Sequence, residues 1–209
     1  MKMSQLAINS VSTVRSDLEE CLAAYHEAGF QNVEFVLKHV KEYMALGHDV
    51  SDVRDLLDKY QLHCIGGFET GVECFSPPEQ RVENHARIVE NAKLLSALGA
   101  AAMVVGTDGP TDPLGASELT GEIARVFAEL ARKIRPTGIT LCLEFNWSPV
   151  VKSLRTAAEI ARKTRMSNVG VLFDPAHYHC TPTKFDQLNA QNIPYIRHVH
   201  VDDMNDKPG

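Results

Sequence analysis

The chain has 209 residues, 44% of them hydrophobic, and a formal net charge of -6, a balance that supports one sizeable core, repels nucleic-acid phosphate and makes a nucleic-acid partner a poor expectation. The opening MKMSQLAINSVSTVRSDLEE has no continuous apolar run and no small-residue cleavage site, and no segment approaches the ~18 apolar residues of a membrane span. A soluble, cytoplasmic chain with no membrane partner is therefore expected, and a homo-oligomer is allowed. The cysteines Cys21, Cys64, Cys74, Cys142 and Cys180 are odd in number and contain no CxxC, so they read as small buried side chains and not as a disulfide or zinc framework.

In chain order, a strand is predicted over residues 6–11, then a helix over 17–28 that opens after Ser16 as N-cap and stops at Gly29. A strand over 32–37 and a helix over 51–60 follow, then a strand over 63–69 and a long helix over 78–98 closed by Gly99. A strand over 101–107 precedes a helix over 117–134 that ends near Pro136 and Gly138. A strand over 139–146, a helix over 153–164 after Pro149, a strand over 169–174, a short helix over 185–191 and a strand over 196–202 complete the pattern. Such alternation demands parallel strands joined by crossover helices.

Both an open doubly wound sheet and a closed barrel fit that alternation, but no glycine-rich phosphate fingerprint follows the first strand. Side-chain parity favours the barrel. Along 139–146, Ile139, Leu141, Leu143 and Phe145 share one face while Thr140, Cys142, Glu144 and Asn146 share the other. In the next strand Asp174 lies opposite Val169, Val171 and Phe173, and in the last His198, His200 and Asp202 lie opposite Val199 and Val201. Asn9 and Glu34 repeat the pattern in the first two strands. Polar groups late on one face of successive strands suit the C-terminal mouth of a barrel, whereas a doubly wound sheet buries apolar residues on both faces. The expected fold is α/β, a (β/α)8 TIM-type barrel with only seven strands and six helices present, forming a single domain over 1–209 that is incomplete at the C-terminus.

Glu144, Asp174 and His200 end three successive strands with the same parity, so they are placed to converge on one cation. Two carboxylates and an imidazole make a fairly hard site that suits Mn2+, Mg2+, Co2+ or Zn2+. Asn9, Glu34, Glu69, Trp147 and His198 are candidate substrate-binding residues around it, with Phe68 a further candidate wall.

The motifs LEFN at 143–146, FDPAHYH at 173–179 and HVHVDD at 198–203 resemble the xylose-isomerase-like superfamily of sugar isomerases and epimerases. Within it, the opening residues and the tail HVHVDDMNDKPG are most similar to the branch that isomerises inosose, 2-keto-myo-inositol. The resemblance implies metal ligands at Glu144, Asp174 and His200 and a substrate-contacting His177. It also implies a fourth ligand, a Glu on an eighth strand, which has no counterpart before Gly209. Ketohexose 3-epimerases of the superfamily carry an acid where this chain has Val150 and an Arg where it has Asp206, departures that favour the inositol branch.

The expected reaction is proton transfer through an enediolate on a keto-sugar or cyclitol substrate. The metal would hold the ketone oxygen and adjacent hydroxyl, Glu144 would be a base while also being a ligand, and His177 would donate to a substrate oxygen. A dehydratase of inosose or dehydroshikimate uses the same enolate and then expels a hydroxyl, so it stands as the alternative, together with an inactive truncated barrel. An apurinic endonuclease, which shares the superfamily, needs a His-rich zinc cluster and a basic groove, and the acidic balance opposes it. Lacking an eighth strand, the chain is expected to form a gapped, C-shaped barrel that binds metal weakly and is inactive unless another segment fills the gap.

Overall fold

The computed structural model describes residues 2–146 and 150–202. Among these residues there are seven strands, β1 (Ala7–Asn9), β2 (Asn32–Val36), β3 (His63–Phe68), β4 (Ala102–Val105), β5 (Thr140–Glu144), β6 (Val169–Phe173) and β7 (Ile196–Val199). The α-helices are α1 (Leu18–Glu27), α2 (Leu37–Ala45), α3 (Val50–Lys59), α4 (Pro78–Ala97), α5 (Ala116–Ile134), α6 (Leu154–Thr164) and α7 (Pro175–Cys180). The expected strands are all present. The chain divides into two compact units, Met1–Glu69 with Glu90–Met103 and Thr137–Ile139, and Thr70–Val89 with Val104–Pro136 and Thr140–Gly209.

In the first unit β1, β2 and β3 pair in parallel, with Asn9 opposite Glu34 and Glu34 opposite Gly66. Val33 and Phe35 are fully buried on one face of β2, and α2 and α3 bring Leu37, Val40, Val53 and Leu57 into the same core. A β-carbon on Gly67 would stand 2.8 Å from the Phe35 carbonyl and 3.0 Å from Leu95, so the missing side chain lets α4 lie close on β3. Helix α1 is capped by Asp17, whose carboxylate accepts from the N–H groups of Glu19 and Glu20; the cap expected at Ser16 is one residue early. It ends at Gly29, whose φ of 84° sets a left-handed C′ residue, with Phe30 N–H bonded back to the Tyr25 carbonyl.

Helix α2 was not expected. Leu37, assigned to the end of a strand, starts it directly after β2. Its apolar residues Leu37, Val40, Tyr43 and Met44 follow a helical period, and Lys38 pairs with Glu42 one turn on. The β-branched run before it obscures the change of period.

In the second unit β5, β6 and β7 pair in parallel, with Cys142 opposite Gly170, Leu172 opposite His198 and a register shift between Val171 and Leu172. Helix α5 buries Ile123, Phe127, Leu130 and Ile134, and α6 buries Ala157, Ile160 and Ala161, while Leu141, Leu143 and Val171 fill the strand side. At the head of α6, Ser153 accepts from Thr156 N–H, Thr183 from Leu154 N–H and Gln187 from Arg155 N–H. The helix expected over 185–191 is only a 3-10 turn at Phe185–Gln187, because the Gln187 side chain is spent on capping α6 and its carbonyl accepts from Asn192.

The loops after β3 and β4 are tied together in this unit. Val72 bridges Thr107 in parallel, and the Asp108 carboxylate accepts from the N–H groups of Cys74, Phe75 and Ser76 and from the Ser76 hydroxyl. No helix among the described residues is long and apolar enough to cross a membrane.

Candidate metal and acid–base site

Glu144 is the last residue of β5, so the strand fixes its direction, and Asn146 donates to its Oε2 at 3.4 Å. Asp174 follows β6 and is the N-cap of α7, where its Oδ1 accepts from His177 N–H at 2.9 Å. Pro175 occupies the first turn of α7, a position where its absent N–H costs nothing. The cap therefore turns His177 back toward the strand ends, and its Nε2 stands 3.3 Å from Glu144 Oε1. His200 follows β7, extends the ladder by donating its N–H to the Phe173 carbonyl, and holds Nδ1 3.5 Å from Asp174 Oδ2.

Ligand atoms of Glu144, Asp174 and His177 all lie within 4.8 Å of one another. Two ligands ~2.1 Å from a cation stand ~3–4.2 Å apart. Closure by less than an ångström therefore brings the three to bonding distance, and the donor set fits a divalent ion. Burial pushes the Glu144 carboxyl above its ordinary value; the neighbouring His177 and His200 pull it down, while Asp174 adds to the rise. A buried carboxyl crowded by a second one favours a proton or a cation at that point.

Of the other expected residues, Asn9, Glu34 and Glu69 belong to the first unit and His198 to the second. Asn9 donates from Nδ2 to Glu34 Oε2 at 2.8 Å, and Glu34 is 2% exposed. His198 packs its ring edge-on to His200 at 5.6 Å between centroids. Glu69 has the strand parity of Gly67, which faces Leu37 and Leu95, and its Oε2 accepts from Lys41 at 2.7 Å and from Asn91 at 2.8 Å. It is thus engaged by α2 and α4 in the first unit. Trp147 lies outside the described residues.

Two features were not drawn from the residues alone. His177, which the resemblance implies as a substrate contact, lies in the ligand-distance cluster, whereas His200, the expected third ligand, is not part of that cluster and stands 3.5 Å from Asp174. An Asp-Pro pair at a helix start is the signal that would have shown it, since an N-cap carboxylate brings the third following residue back to itself. Asn146 was placed on the inward face but given no role, and it donates to Glu144.

The fold is of the TIM-barrel class, and comparison with known proteins agrees. Residues 22–209 match the family model described as xylose isomerase-like TIM barrel, and the chain belongs to that family. It is 28% identical over 123 residues to an inosose isomerase of Halalkalibacterium halodurans, covering 58% of this chain and 43% of that protein. It is 30% identical over 93 residues to an inosose isomerase of Bacillus velezensis, covering 44% of this chain and 33% of that protein. These matches span less than half the length of each relative. A crystal structure of IolI with a bound zinc atom superposes with a TM-score of 0.85 over 97% of this chain and 74% of that one, at 21% identity, which shows the shared fold.

Proposed function

We propose that this chain carries the metal-dependent proton-transfer site of an isomerase or epimerase acting on a keto-cyclitol such as inosose, or on a related keto-sugar. The observation that supports this most is Glu144, a carboxyl raised by burial and set within ligand distance of Asp174 and His177. The names of the relatives support inosose as the first substrate to try.

Glu144, Asp174 and either His177 or His200 would hold the ion. When bound, a divalent ion of the Mn2+, Mg2+, Co2+ or Zn2+ kind polarises a carbonyl and stabilises the negative charge that develops beside it. Glu144 takes the proton alpha to the ketone, and its raised affinity for protons moves it toward the working range of a general base. His177, 3.3 Å from that carboxylate, orients it and donates to a substrate oxygen. Asp174 holds both histidines, one through its backbone N–H and the other through its ring.

The test is incubation of metal-loaded protein with 2-keto-myo-inositol in D2O. Deuterium entering beside the ketone in a product that has lost no water supports the reading. A product lighter by one water would mean a dehydratase, and no exchange with any keto-cyclitol or ketose would reject the proposal.

A further inference from the structure

Strands β6 and β7 do not run in step. Val171 pairs with Ile196, but the next residue, Leu172, pairs with His198, and Phe173 pairs with Val199. Arg197 is therefore an extra residue, a bulge in β7. Its effect follows from the period of a strand. Residues opposite each other on neighbouring strands point to the same face, and Leu172 shares its face with Gly170 and Asp174. In-step pairing from Val171 and Ile196 would set Arg197 against Leu172 and His198 against Phe173. Arg197, Val199 and Val201 would then turn to the Asp174 face, and His198 and His200 would turn away from it. The bulge reverses this and leaves His200 Nδ1 3.5 Å from Asp174 Oδ2.

An extra residue needs somewhere to put its side chain. A β-carbon built on Gly170 would stand 2.8 Å from the Arg197 β-carbon, still nearer its Cγ, and 2.9 Å from the Tyr195 carbonyl oxygen. None of these atoms is the mobile end of a side chain, so a larger residue at 170 must displace the β7 backbone. The bulged arginine stem occupies the space that Gly170 leaves.

We infer that Gly170 is a positioning residue: by admitting the Arg197 bulge it sets the register that turns His198 and His200 toward Asp174. The affinity part of this inference rests on the metal reading above, whereas the register part does not.

The test compares the parent, Gly170→Ala, and Gly170→Ala with Arg197 deleted. Deletion makes Ile196 and His198 consecutive, so in-step pairing itself sets His198 against Leu172 and no bulge is needed. Titration with Co2+, read by the visible spectrum of the bound ion, should show affinity falling by about 10–100-fold in Gly170→Ala, the range for residues that orient a ligand. The deletion variant should recover most of it. Crystal structures should show His200 parted from Asp174 in Gly170→Ala and returned in the deletion variant. If Gly170→Ala keeps the parent register and the His200–Asp174 approach, the inference is overturned. Should Gly170→Ala not fold, the deletion variant decides: a folded protein with the histidines in place supports the inference, and a second unfolded one overturns it. A parent that binds no Co2+ refutes the metal reading alone, and the register in the crystals still decides the role of Gly170.

Discussion

Replacing Glu144 by Gln separates its chemistry from its structural cost. The substitution keeps shape and removes the carboxylate, so it deletes a proton acceptor and an ion ligand while leaving β5 intact. Loss of a general base costs about 10²–10⁴ in rate, or about 2.7–5.4 kcal/mol of barrier. Stability should move the other way. The folded-state pKa of Glu144 is raised, chiefly by burial. The native state therefore binds more protons than the unfolded chain, and the contribution of this group is fully present below the unfolded carboxylate pKa and lost as pH rises through the raised value. Glu144→Gln has no such loss. In metal-free protein its melting temperature should match the parent at about pH 4, near the ordinary carboxylate pKa, and exceed it at neutral pH. Turnover of a keto-cyclitol and thermal melts in chelator at both pH values measure the two halves. A rate within about tenfold of the parent, or a melting difference that does not grow with pH, would refute the assignment.

Three further outcomes follow from other parts of the molecule. Asn91 is 1% exposed and joins Lys41 to Glu69, so Asn91→Ala should lower the urea-unfolding free energy by about 1–3 kcal/mol by removing its two hydrogen bonds to charged partners. Asp108→Ala removes the acceptor for three successive N–H groups and should cost about 1.5–3 kcal/mol, with new protease cleavage within residues 70–77 on limited digestion. Burial pushes the Cys64 and Cys74 thiols up to about 12, and Cys21 and Cys142 are also buried, so one thiol, the exposed Cys180, should react rapidly with an aromatic disulfide reagent; fast reaction of two or more would contradict the burial.

The strand set was legible because each run of β-branched residues stops at a turn or a helix cap, as Val169–Phe173 stops at Asp174 and Pro175. Period-two parity places Glu144, Asp174 and His200 on the polar side of their own strands, but it does not fix which side of β7 faces Asp174. What escaped was local chemistry that parity does not encode. Helix α2 begins without a loop, so Leu37 reads equally well as strand. The short α7 depends on one carboxylate cap, and the cap brings His177 to Glu144. Glu69 directly follows β3, whereas Glu144 ends β5, and the parity of Glu69 sends it to Lys41 and Asn91. The bulge at Arg197 left no trace in composition; His198 and His200 face Asp174 only because an extra residue corrects the register.

Crystals soaked in Mn2+ and measured for anomalous scattering test most directly whether Glu144 and Asp174 hold a divalent ion. The account predicts a peak at about 2.0–2.6 Å from oxygens of both carboxylates and from a ring nitrogen of His177 or His200. A map with no peak between these residues, or with the ion bound elsewhere, would contradict it.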